Sequence, residues 1–139
     1  MKTAIIIAVL VCVAVAAFLW FRREPVVIRQ PHLTFPDDEN GDILRQMQAA
    51  GDNLEAARDM NFAFAFKTQS EAERFAAAIT APDFHAEASD YPERKMWQAE
   101  VTHFMLPTHA AITELEARLS KVAAEYGGSP DGWGSFLQP

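Results

Sequence analysis

Apolar positions fall along this chain in three different patterns, and each predicts a different kind of element. From Ala4 to Phe21 the run AIIIAVLVCVAVAAFLWF carries no charge and no strongly polar group. As a helix rising ~1.5 Å per residue it would reach about 27 Å, close to the ~30 Å of a bilayer's hydrocarbon core. Trp20 and Phe21 close the run and Arg22 and Arg23 follow it, an aromatic and basic flank suited to the membrane interface. A single transmembrane helix is therefore expected within residues 1–23. The rival reading is a cleaved signal peptide, for which Lys2 supplies a positive start and Ala14-Val15-Ala16 a small-x-small site. Cleavage there would leave AFLWF at the mature N-terminus, so an uncleaved anchor is expected. Arg22, Arg23 and Arg29 after the span outweigh Lys2 and the α-amino group before it, which places an inner-membrane protein's following domain in the cytoplasm.

The second pattern is the absence of one. Residues 24–36 hold Pro25, Pro31 and Pro36 and no helical period, predicting an extended tether.

The third pattern, over residues 37–139, alternates helical and strand periods. In DDENGDILRQMQAAGDNL, Ile43, Met47 and Ala50 share a helical face, acidic residues precede it, Asn40 or a neighbouring Asp can cap it, and Gly51 stops it. NFAFAFK is apolar on both faces and fits a central strand. TQSEAERFAAAI places Ala72, Phe75, Ala76 and Ile79 at helix spacing, with Ser70 and Glu73 as a capping box. FHAEAS and WQAEVTHF read as alternating strands, with Phe84, Ala86 and Ala88 facing one way in the first and Trp97, Ala99 and Val101 in the second. A long helix starts near Pro107 and Thr108 and carries the stripe Ile112, Leu115, Leu119, Val122 and Tyr126; Gly127 and Gly128 end it, and GWGSFL supplies a last strand.

Leaving aside the first helix, the order is β-α-β-β-α-β. That predicts an α+β, ferredoxin-like split βαβ sandwich: a four-stranded antiparallel sheet, two packing helices and one extra N-terminal helix at a sheet edge or on the open face.

Charge narrows the partners. The whole chain is at −7, but residues 30–139 carry 8 basic and 18 acidic side chains, a net −10. Such a surface repels phosphate, so direct nucleic-acid binding is disfavoured and a basic protein segment is the more natural partner. The single cysteine, Cys12, lies within the apolar run, which excludes a disulfide framework or a zinc site built on two cysteines. His32, His85, His103 and His109 fall on different elements, and Glu100 and His103 lie on opposite faces of a strand. With no HExxH, GxSxG or phosphate loop either, no catalytic residue, cofactor or metal is expected.

Four ordered blocks carry a further signal: Asn40-Gly41-Asp42 with Leu44, Arg45 and Met47; Gly51-Asp52 ahead of the Phe-rich strand; Met105-Leu106-Pro107-Thr108-His109; and Asp131-Gly132-Trp133-Gly134. Together they resemble the regulator of ribonuclease E activity B family, from about Asp37 to the C-terminus. The resemblance implies a ferredoxin-like domain that binds and inhibits the endoribonuclease, changing RNA turnover without itself cleaving RNA.

On this reading the expected partner contacts are Asp38, Glu39, Asp42 and Asp52 around the first helix, with Trp133 as the apolar anchor. Each also has a plainer explanation: Asn40-Gly41-Asp42 as a helix cap, Pro107-Thr108 as helix-start chemistry, Trp133 as core packing. Two alternatives of other classes stay open. One is an RNA-binding module, because FAFAF is similar to the aromatic strand of an RNA recognition motif; the other is a small-molecule sensor on the same fold.

Overall fold

A strand apolar on both faces belongs where neighbours take both of its edges, and β1 (Arg58–Phe66) has that place. It pairs antiparallel with β3 (Met96–Met105) on one side and β4 (Ser129–Gly134) on the other, and β3 pairs with β2 (Phe84–Tyr91), giving the order β2-β3-β1-β4. The structure, a computed structural model, describes residues 33–139. The expected membrane span at 4–21, Cys12 and the tether up to residue 32 lie outside the described residues. Among those described, no helix is long and apolar enough to cross a membrane.

Helix α1 (Glu39–Ala49) precedes β1, α2 (Gln69–Ala78) joins β1 to β2, and α3 (His109–Glu125) joins β3 to β4. This is the split βαβ plan, with α1 as the additional helix. The even positions of β1, Met60, Phe62, Phe64 and Phe66, are buried. They pack with Ala99 and Val101 of β3, Ala72 and Phe75 of α2, and Ile112, Leu115, Leu119 and Ala123 of α3. The Phe75 ring sits 5.2 Å from Phe64 and 5.3 Å from Phe66, tilted to both, the geometry that ring quadrupoles favour. Each such side chain contributes about 1.5 to 3 kcal/mol of burial free energy.

Local details differ from the pattern in four places. Helix α1 is capped by Asp38, one of the neighbouring acids expected there, but its buried positions are Gly41 and Leu44, whereas Ala50 is exposed at the C-cap. Of the expected face Met47 does pack against the core, but the fully buried positions are set by the lean of α1 on α3 and on the chain before it. A Cβ at Gly41 would run into the Pro36 carbonyl oxygen, so only glycine lets the two backbones approach.

The capping box of α2 is Thr68 with Glu71, two residues before the expected Ser70 with Glu73. The extended backbone of Thr68 lets its hydroxyl accept from Glu71 N (3.3 Å), while the Glu71 carboxylate accepts from Thr68 N (3.0 Å). Strand β4 starts and ends earlier than GWGSFL, leaving Phe136 and Leu137 exposed beyond it. The end of the expected tether is docked: Phe35 packs on the core, and Arg45 Nη1 donates to the carbonyls of Phe35 (3.0 Å) and Pro36 (2.9 Å).

Candidate functional site

Three of the four sequence blocks converge where the N-terminus of α1 meets α3 and β4. Asn40 is the hub. Its Nδ2 donates to Thr113 Oγ1 (3.1 Å) and Glu116 Oε2 (3.0 Å), and its Oδ1 accepts from Trp133 Nε1 (2.6 Å). Both ends of the amide are thus occupied, which fixes its orientation. Asp38 accepts from Gly41 N (2.8 Å), and His109 Nε2 lies 2.8 and 2.9 Å from its two carboxylate oxygens. Because a carboxylate only accepts, Nε2 carries the proton and donates. The Gly41 N–H first, and then the His109 ring, hold the Asp38 carboxyl below the usual carboxylate range.

The fourth block forms a separate staple. Arg58 Nη1 donates to both carboxylate oxygens of Asp52 (2.6 and 2.8 Å), Gln138 N adds a bond to Asp52 Oδ1 (3.0 Å), and Arg58 Nη2 bonds the Asn53 carbonyl. Asp52 and Arg58 are the only buried charged residues among those described.

These bonds sort the expected contacts. Asp52 is corrected outright: its carboxylate is buried and held by Arg58, so it presents nothing to a partner. Asp38 is committed to His109, and Asp42, though exposed, pairs with Arg45. Trp133 is half-buried, packs against the core and spends its N–H on Asn40, which makes it a joint between α1 and β4. Only Glu39 is exposed with no ion-pair partner among the described residues. Phe62, Phe64 and Phe66 all face the helices, so none can stack a base, and the likeness to an RNA recognition motif fails on this point.

Sequence reasoning missed the sheet face turned away from the helices. Register sets out its rows: Asp59 beside Phe104, Asn61 beside Thr102, and Ala63 beside Glu100, which faces Glu87 across β2. Asp59, Glu87 and Glu100 have no Lys or Arg partner among the described residues, and the neighbour of Glu87 is His85, 3.9 Å away. At one end Phe104 is 64% exposed and Phe136 86%. At the other, Arg94 from the turn after β2 pairs with Asp131 of β4 (2.5 Å), and Ala65 there is buried. Between them, Asn61, Ala63, Glu100, Gly132 and Phe136 line a cleft of about 390 Å³. Phe104 was legible, since it breaks the polar alternation Gln98, Glu100, Thr102 on its face of β3.

A second depression, about 410 Å³, lies between α2 and α3 and is lined by Ile79, Phe84, Leu115, Leu119 and Val122, with Arg118 and Lys121. Among the described residues no group of three or more His, Cys, Asp or Glu side chains is placed to hold a metal ion.

Compared with known families, residues 37–135 match the model described as "Regulator of ribonuclease activity B". No curated protein matches the chain.

Proposed function

The chain belongs to the regulator of ribonuclease activity B family, and on that premise we propose that it binds a ribonuclease E-like endoribonuclease through a basic segment and slows its cleavage of RNA. The observation that carries this reading is the charge distribution. Residues 30–139 stand at −10, and among the described residues Glu39 and, on the open sheet face, Asp59 and Glu100 are solvent-accessible acids with no ion-pair partner. Such a surface attracts a cationic polypeptide and repels a phosphate backbone. The domain thus acts by occupying the enzyme and performs no chemistry on RNA. The apolar run at 4–21 would hold it at the inner membrane with the domain on the cytoplasmic side, where a membrane-associated RNA-degrading complex could meet it.

The test is ribonuclease E cleavage of a fluorogenic RNA with increasing amounts of the full chain. Cleavage should slow, and less so as salt rises, since screening acts over about 10 Å at 0.1 M ionic strength. Unchanged cleavage at saturating protein, with tight binding of single-stranded RNA, would overturn the proposal. For the membrane reading, a C-terminal alkaline phosphatase fusion should be inactive; periplasmic activity, or a mature N-terminus near Ala17, would count against it.

A further inference from the structure

We infer that the open sheet face between Phe104, Phe136 and the Arg94–Asp131 ion pair is the docking surface, and that its occupant is an extended, arginine-bearing segment of the protein partner. This rests on the functional reading above and deepens it by naming the surface and the side chain it takes.

Four observations select this face. First, all but Glu39 of the acids expected to make contacts around α1 are engaged: Asp38 with His109, Asp42 with Arg45, Asp52 with Arg58. Second, the open face keeps Asp59, Glu87 and Glu100 with no Lys or Arg partner among the described residues, and Glu87 and Glu100 stand directly opposite each other on neighbouring strands. Like charges in that register repel, so the pair costs the free protein stability that a cation placed between them would return. Third, Phe104 and Phe136 leave most of their surface in water at the end of the face where Asp59 lies. A planar guanidinium suits both kinds of group at once, stacking on an aromatic ring and donating in parallel to a carboxylate; an ammonium offers only the point charge. Fourth, the cleft is bounded. The Arg94–Asp131 pair closes one end, and Ser135, whose hydroxyl oxygen is buried without a hydrogen-bond partner, lines it near β4.

RNA has no comparable fit here. The exposed rings could stack bases, but the three carboxylates beside them face the phosphates with no Lys or Arg among the strand residues of this face.

The test uses the full chain in non-ionic detergent and fluorescence anisotropy with three labelled probes: nona-arginine, nona-lysine and a twelve-nucleotide oligouridine. Nona-arginine should bind best and oligouridine worst. The Phe104→Ala/Phe136→Ala and Glu87→Gln/Glu100→Gln variants should each weaken nona-arginine about ten-fold. Glu114→Gln/Glu125→Gln, which removes the same charge from exposed positions on α3, should change it by less than about two-fold. Equal weakening by the α3 variant, unchanged binding by the face variants, or oligouridine binding tighter than nona-arginine would overturn the assignment. Ribonuclease E assays separate the two levels. Face variants that inhibit as well as the unaltered chain refute the surface while leaving inhibition standing. An unaltered chain that binds nona-arginine through this face yet never slows the enzyme refutes the inhibitor reading alone.

Discussion

The two faces of one sheet divide the work of this protein. On β1 the even positions, Met60 to Phe66, are large and sealed beneath α2 and α3, while the odd positions, Asp59, Asn61 and Ala63, are polar or small and face outward. The same alternation runs through β3, where Ala99 and Val101 are buried and Gln98, Glu100 and Thr102 are not. A period of two therefore separates the groups that hold the fold from the groups available to another molecule. The acids obey a parallel division. Those bonded to His109, Arg45 or Arg58 secure α1 and the loop before β1, whereas Asp59 and Glu100 on the open face have no ion-pair partner among the described residues.

Substitutions can break or sharpen that division. The largest effect is expected for Phe64→Ala, on the sealed face against Phe75; chemical denaturation should show a loss of about 3 to 5 kcal/mol. Arg58→Met leaves the Asp52 carboxylate buried without its cation and should cost about 3 kcal/mol, read as a lower denaturant midpoint with an unchanged slope. Asn40→Ala strands the Trp133 N–H and frees Thr113 and Glu116, for about 1 to 2 kcal/mol, with a change in Trp133 fluorescence.

The Asp38 carboxyl at the same junction should titrate below the ordinary value of about 4. Its pKa is depressed on folding, so its contribution is fully present above that ordinary value and is lost as pH falls through the lowered one. Carboxyl-carbon shifts followed by NMR check this, and a midpoint at or above the ordinary value would contradict the Gly41 and His109 bonds. Smallest of all, Phe104→Ala on the open face should alter stability by less than about 0.5 kcal/mol. A Phe104 effect as large as that of Phe64 would erase the distinction between the faces.

Where the chain is long and regular, its pattern was sufficient. The alternation of NFAFAF and the stripe Ile112, Leu115, Leu119 each had enough repeats for the period to name the buried face. Short signals competed: Thr68 and Ser70 each precede a Glu by three residues, and only the end of β1 at Phe66 decides which one caps α2. The buried side of α1 was hidden because Pro36 and α3 choose it, not the helix's own spacing. The same reason concealed the role of Asp52, which reads as a surface acid until the loop folds back and brings Arg58 to it. Likewise no local rule joins Asn40 to Trp133, since that bond exists only after β4 has taken its place beside β1.

The late arrival of β4 has a consequence for biosynthesis and handling. The most apolar strand of the domain obtains its second neighbour from the last element in chain order, so its outer backbone edge stays bare until the opposite end of the domain is available. A nascent or proteolysed fragment ending before Ser129 would display FAFAF with a free edge, a template for intermolecular pairing. Such a fragment should accumulate as aggregate instead of as a smaller working domain.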